Sequence, residues 1–316
     1  MRIQQYHDFR NNNDIAECAS NSKGFSTLHF NIRSLSANYD CFYHMLSELN
    51  LSFSIIGISE TKIIKDREAL SNVNIIGYDL VSEPTLSNAG GVAFYIKNNY
   101  NYTIRSELTI ATLDFEALWI EILANGQPNL VCGVIYRHPH SNLQNFMNYI
   151  NSTLDKIQQE KKLCLFMGDF NIDLLKIDSH SDSEIFLNDL ASSFFQPHIL
   201  QPTRITDHSA TLIDNIFFNS IEHFTISGNV VYKLTDHLAN FMIFNNFSAL
   251  SPNIEVYKRD YSKFNETKFL DEVKSFDWQI VLENTIDPTQ LFDSFYAKIS
   301  EIIDRYVPIK RFSRRE

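Results

Sequence analysis

Residues 163–171 read Leu163-Cys164-Leu165-Phe166-Met167-Gly168-Asp169-Phe170-Asn171, and their pattern decides the fold. Five apolar residues follow one another without interruption and stop at a Gly-Asp pair. The run is too short for a helix and does not alternate, so it reads as a strand, Leu163 to Met167, buried on both faces. Just before it, Leu143, Phe146, Met147, Ile150, Leu154 and Ile157 recur at helical period and predict an amphipathic helix over 142–160. Further out, apolar runs predict strands at 28–30, 54–59, 73–81, 91–96, 118–123, 130–136, 212–218 and 238–244, with helices at 39–49 and 185–195. Strands and helices alternate irregularly. Two mixed β-sheets packed together, with helices outside, is the simplest α/β architecture that absorbs this order.

Polar residues sit where these runs end. Asn31 follows Leu28–Phe30, Glu60 follows Ile55–Ser59, Tyr136 follows Val131–Ile135, and Asp169 with Asn171 follows Leu163–Met167. Asp214 is embedded in Leu212-Ile213-Asp214-Asn215-Ile216-Phe217, and Asp236-His237 precede Leu238. Any one of them alone reads as a turn former or helix cap. Asp214 is the exception, because an acid inside an apolar strand must be paired or functional. Strand ends of a layered α/β protein converge on one edge, so residues from six strands can meet in one cleft. Glu60 and Asp236 would hold a hard cation through oxygen. His237 with Asp214 supplies an oriented base or an imidazolium, and Asp169 a proton-transfer group. Asn31, Tyr136 and Asn171 offer neutral donors to phosphate oxygens. This is the inventory of metal-assisted phosphodiester hydrolysis.

The 316 residues are 44% hydrophobic and 21% charged, which excludes a wholly disordered chain. The net charge is −11, and nearly all of that excess lies in residues 1–250. Such a chain does not bind nucleic acid by bulk counterion release alone; a metal ion and a local basic surface would have to offset the acidity. Cys18, Cys41, Cys132 and Cys164 have no metal-ligand spacing and read as reduced thiols, which points to an intracellular compartment. Residues 1–24 are polar, read as a weakly ordered lead-in and carry no signal peptide. No run reaches 18 apolar residues, so no membrane span is expected. After Ser251-Pro252 the composition shifts. Residues 252–316 contain no Gly, and Leu291, Phe292, Phe295, Ile299, Ile302, Ile303 and Tyr306 form one helical stripe. This segment reads as a helical appendage whose stripe docks on the rest or favours self-association, and Lys310–Arg315 reads as a solvated basic tail.

Gly168-Asp169-Phe170-Asn171, Ile58-Ser59-Glu60-Thr61 and Leu234-Thr235-Asp236-His237, with Asn31 and Asp214, resemble the ordered motifs of the endonuclease/exonuclease/phosphatase superfamily over residues 25–246. Phe30-Asn31-Ile32-Arg33-Ser34-Leu35, Tyr136-Arg137-His138-Pro139, Gln201-Pro202-Thr203-Arg204-Ile205-Thr206 and Thr211-Leu212-Ile213-Asp214 further resemble the endonuclease domain of Jockey-like non-LTR retrotransposon ORF2 proteins. Residues 252–316 resemble the segment that precedes the polymerase in those proteins, and the chain reads as a truncated or standalone copy.

The resemblance implies a four-layer α/β sandwich of the DNase I-like type and a divalent-metal-dependent DNA endonuclease that nicks one strand and leaves a 3′-hydroxyl. It assigns Mg²⁺, or Mn²⁺, to Glu60 and Asp236, phosphate positioning to Asn31 and Asn171, and proton transfer to Asp169. Tyr136 would contact the scissile phosphate, and His237, oriented by Asp214, would stabilise the phosphorane or act as base. Thr203, Arg33, Arg137 and Arg204 would lie against DNA. Action on chromosomal DNA would place the protein in the nucleus, and a polymerase domain is the partner expected from full-length relatives. Arg33 stands where abasic-site repair enzymes carry an aspartate, which counts against repair, and Asn215 stands where relatives often carry a histidine. The alternatives are a phosphatase or phospholipase of the same superfamily, or a folded non-catalytic remnant.

Overall fold

The computed structural model describes residues 3–8, 24–49, 52–64, 73–87, 89–251, 256–282 and 287–312. They divide into two compact units, residues 1–252 and 253–316. In chain order the first unit holds β1 (Ile3–Asp8), β2 (Phe25–Asn31), α1 (Leu35–Leu49), β3 (Ile55–Ser59), β4 (Tyr78–Glu83), β5 (Val92–Lys97), β6 (Tyr102–Ile104), β7 (Ile110–Ala111), β8 (Phe115–Ile122) and β9 (Leu130–Arg137). It continues with α2 (Leu143–Gln159), β10 (Leu163–Asp169), α3 (Ser181–Ser192), β11 (Gln196–Pro197), β12 (Arg204–Ile205), β13 (Ala210–Thr211), β14 (Asp214–Phe218), β15 (Thr225–Val231) and β16 (Ala239–Phe244).

One sheet runs β1-β15-β16-β2-β3-β5-β4 and the other β11-β14-β10-β9-β8-β6, with β7 on β8. Each is mixed and centred on one parallel pair, β2 with β3 and β9 with β10. Helices α1 and α2 are the crossovers those parallel pairs require. Alternate residues of each central strand enter different apolar layers. In β9 and β10, Leu130, Cys132, Val134, Leu165 and Met167 pack between the sheets, while Val131, Ile135, Cys164 and Phe166 pack with Phe146 and Ile150 of α2 and Phe186 of α3. In β2, Leu28 and Phe30 pack with Phe42 and Met45 of α1. The result is the expected four-layer α/β sandwich, two mixed sheets with helices outside.

Several boundaries differ from the sequence reading. The strand expected over 73–81 is Tyr78–Glu83, because Gly77 at φ +88° turns the chain just before it. Strand β14 begins at Asp214, since Leu212 and Ile213 give their carbonyls to Leu174 and Phe170 N–H groups outside the sheet. Strand β15 carried no apolar signature because Ser227 and Asn229 are buried and polar, bonded to the His198 and Pro202 carbonyls. Within the expected lead-in, Ile3–Asp8 pairs in parallel with β15; residues 9–23, with Cys18, lie outside the described residues.

The second unit contains β17 (Val256–Arg259), α4 (Glu266–Ser275), α5 (Gln279–Leu282), α6 (Pro288–Tyr306) and β18 (Ile309–Phe312). It is not wholly helical: β17 and β18 pair antiparallel. Asp287 caps α6 by accepting from the Thr289 N–H, with Pro288 at the first turn. Tyr306 lies edge-on to Phe269 of α4, and Phe295 meets Trp278. Phe292 and Tyr296 are exposed. The expected basic tail is strand through Phe312, and residues 313–316 lie outside the described residues.

Candidate active site

The two parallel pairs end side by side. Asn31 is in register with Ser59, and Asp169 with both Tyr136 and Asp214. The antiparallel neighbours begin where these strands end: β14 at Asp214, and β16 just after His237. One edge therefore collects residues from both sheets. Gly168 is required there, because a Cβ would lie 2.0 Å from the Ile135 carbonyl oxygen of β9. The chain then reverses through Asn171 at φ +49°, and Asp169 Oδ1 accepts the Asn171 N–H at 3.0 Å.

Asn31 Nδ2 donates to Glu60 Oε1 and Asp169 Oδ2, both at 2.8 Å, and so draws two carboxylates to one point. Glu60 sits at φ +52°, a left-handed backbone held by its neighbours' bonds: Thr61 and Lys62 N–H groups donate to the Gly91 and Gly90 carbonyls. Tyr136 is buried beside Glu60; burial, then the Glu60 and Asp169 charges, push its hydroxyl far above the usual range. Asp214 Oδ2 accepts from His237 Nδ1 at 2.9 Å and from the Thr203 hydroxyl at 2.8 Å. Asp169 Oδ2 is 4.0 Å from the same His237 nitrogen.

These groups polarise one another. Burial, then the Asp214 charge, lift the Asp169 carboxyl to about 7. Burial works against the imidazolium of His237, but Asp214 and then Asp169 outweigh it and raise it to about 9. Asp214 is opposed by burial yet held low by His237. The arrangement separates a proton acceptor, Asp169, from a cation, His237, within one pocket.

Glu60, Asp169 and His237 each place a ligand atom within 4.8 Å of the others, a possible metal triad. The donor set fits a hard divalent cation through the two carboxylates. His237 fits it less well, since a protonated imidazole is no ligand. Asp236, expected as the second metal ligand, lies outside the triad and is ion-paired to Arg204 Nε at 2.8 Å and Arg33 at 3.1 Å. Two residues expected at DNA are buried instead. Thr203 is fully buried under Asp214. Arg137 donates to the carbonyls of Ser141, Phe170 and Asn171, and so clamps the Asp169–Asn171 turn. Asn171 Nδ2 donates to the Arg137 carbonyl. Arg33 and Arg204 are part exposed, and Arg204 lines a cleft of about 650 Å³ beside Asn171, Lys176, His140 and His180.

Glu116 escaped the sequence reading. It is fully buried, accepts from Thr85 Oγ1 at 2.6 Å and pairs with His138 Nε2 at 3.0 Å, against the ring of Tyr136. The signal was available: like Asp214, it is an acid inside an apolar strand.

Residues 28–237, which contain every group of this site, match the Endonuclease/Exonuclease/phosphatase family. The chain belongs to that family. Its members are phosphodiesterases and nucleases, generally dependent on a divalent metal. No curated protein matches the chain in sequence. Among solved structures, it is similar to the endonuclease domain of TRAS1, a telomere-specific non-LTR retrotransposon, at 13% identity and a TM-score of 0.54, over 70% of this chain and 98% of that one. It is also similar to the Xenopus laevis APE2 catalytic domain at 16% identity and 0.56, over 73% and 94%. A third is the 3′ phosphatase NExo from Neisseria bound to a product DNA hairpin, at 12% and 0.52, over 70% and 100%. At these identities the likeness is one of fold. Among the described residues, no helix is long and apolar enough to cross a membrane.

Proposed function

We propose that the chain is a divalent-metal-dependent DNA endonuclease that nicks one strand and leaves a 3′-hydroxyl. The observation that carries this reading is the buried Asp169–His237–Asp214 relay held against Glu60 by Asn31. DNA as substrate is supported by the solved relatives, a retrotransposon endonuclease domain and a phosphatase bound to a DNA hairpin. The TRAS1 likeness also suits a mobile-element setting, with the nick priming reverse transcription by a polymerase domain of the full-length protein.

The roles follow from the geometry. A water attacks phosphorus opposite the 3′ oxygen, the P–O3′ bond breaks, and the departing O3′ takes a proton from solvent to become the 3′-hydroxyl. Asp169, its carboxyl raised to about 7 and anchored at both oxygens, accepts the water's proton. His237, charged and fixed by Asp214, donates from Nε2 to a non-bridging oxygen as negative charge grows. Glu60 and Asp169 would hold Mg²⁺ or Mn²⁺, which when bound supplies Lewis-acid stabilisation of the phosphate and the leaving oxygen. Asn31 keeps Glu60 and Asp169 in place.

The test is supercoiled plasmid with Mg²⁺ or Mn²⁺. Wild type converts it to open circles, while Asp169→Ala, His237→Ala and EDTA each stop conversion. Plasmid that stays supercoiled with every protein removes the nuclease reading, and assays on phosphomonoesters and phospholipids would then decide between the other superfamily activities.

A further inference from the structure

Asp236 follows the expected metal-binding pattern in sequence, yet its surroundings are cationic. Arg204 Nε lies 2.8 Å from Oδ2, and Arg33 lies 3.1 Å from Oδ1. Arg204 thus hydrogen-bonds Oδ2, while Arg33 ion-pairs with Oδ1, which is buried and accepts no hydrogen bond. The acid is largely covered, its side chain 19% exposed, whereas the arginines above it are 45% (Arg33) and 38% (Arg204) exposed.

Each arginine is also delivered by a stiff backbone. Arg33 sits at φ +56°, its N–H donating to Asn31 Oδ1 at 3.1 Å. Arg204 forms a backbone bridge to His237, flanked by bonds from the Ile205 N–H to the Asp236 carbonyl at 2.9 Å and from the Leu238 N–H to the Thr203 carbonyl at 2.7 Å. The 203–205 segment is therefore zipped to 236–238. The two guanidiniums are held by one carboxylate and by chain segments that also carry Asn31 and His237.

We propose that Asp236 anchors a two-arginine fork, Arg33 and Arg204, that grips a phosphate of the DNA strand beside the scissile one, and that Asp236 is not a metal ligand. The proposal rests on the DNA reading above. One carboxylate between two guanidiniums leaves a net positive charge. A second cation arriving at Asp236 would meet like charge at about 3 Å, whereas a phosphate meets two planar donor groups. The fork is the local basic surface that an acidic chain of net charge −11 requires to approach DNA.

The test uses the full chain in two measurements. The first is anisotropy of a fluorescent DNA duplex in EDTA over a salt series, for wild type, Arg33→Gln and Arg204→Gln. Each substitution should weaken binding severalfold and flatten the salt slope by about one phosphate contact. The second is calorimetric titration of the protein alone with Mn²⁺. Asp236→Asn should keep Mn²⁺ affinity within about threefold of wild type, while Glu60→Gln lowers it by about tenfold or more. Mn²⁺ affinity lost equally in Asp236→Asn and Glu60→Gln overturns the proposal. So does a wild-type salt slope in both arginine variants. Wild type that binds no duplex at all instead removes the DNA reading on which the proposal stands.

Discussion

Thr203 makes three hydrogen bonds with one hydroxyl. It donates to Asp214 Oδ2 at 2.8 Å and accepts the Ile213 and Asp214 N–H groups at 3.2 and 3.1 Å. Thr203→Val keeps the shape and removes all three. The expected cost is about 1–3 kcal/mol in urea unfolding, because buried partners are left unpaired, with nicking reduced by roughly tenfold as Asp214 loses its second anchor. Thr203→Ser should restore both, and a Ser variant as slow as Val would show that the methyl group matters instead. His29 sets a pH dependence. It is fully buried between Ser59 and Asn240, and burial lowers its imidazole to about 4. The folded state therefore takes up the proton less readily than the unfolded chain. Its contribution to stability is complete above pH 6.5 and is lost as pH falls from 6.5 towards 4, by about 3 kcal/mol in all. Asp169, its carboxyl lifted to about 7, works in the opposite sense over the same window, so the His29 contribution is read as a difference: the urea midpoint of His29→Gln should rise relative to that of wild type as pH falls from 6.5 to 4, and parallel curves would exclude His29 as the source.

At the scale of elements, the site is made by strand ends and by the turns directly attached to them. Strand β10 carries the most constraint: its Cys164 and Phe166 fill the helix-side core, its Leu165 and Met167 the inter-sheet core, and its last residue is Asp169. Gly168 lets β9 and β10 run close enough to bring Tyr136 and Asp169 into register. Gly168→Ala puts a methyl group on the Ile135 backbone, which cannot swing aside as a side chain would. Destabilisation of roughly 2–3 kcal/mol is expected in urea unfolding, with nicking nearly abolished even where the variant is fully folded. An Ala variant with wild-type activity would mean that the strand ends tolerate displacement.

At the scale of the whole molecule, two sheets press the acids Glu60, Asp169 and Asp214 together against one imidazolium. That excess of negative charge opposes folding, and a bound dication relieves it. Mn²⁺ at about 100 times its dissociation constant should stabilise the protein by about 2.7 kcal/mol, a rise of roughly 5–10 °C in thermal midpoint. Glu60→Gln should remove most of the rise, and a Glu60→Gln protein stabilised as much as wild type would place the metal elsewhere.

The pattern of apolar runs specifies the two-sheet sandwich and brings Asn31, Glu60, Tyr136, Asp169, Asp214 and His237 to one edge. Apolar runs ending in Asn31, Glu60, Tyr136 and Asp169 mark strands buried on both faces, and strand ends of layered proteins share an edge. Asp214 was legible as a buried acid needing a partner, and His237 at 2.9 Å supplies it. Roles that depend on competition for partners were not legible. Asp236 reads as a metal ligand in one dimension, and only the fold sets Arg204 and Arg33 from distant segments 2.8 and 3.1 Å from it. Arg137 and Thr203 are expected against DNA by resemblance, and in the fold the turn at Phe170 and Asn171 and the carboxylate of Asp214 accept their hydrogen bonds. Polar Ser227 and Asn229 hid a strand whose burial is balanced by bonds to carbonyls about 30 residues earlier in the chain. A residue type states what a side chain can bind; only the packed structure decides which of several competent partners lies within 3 Å.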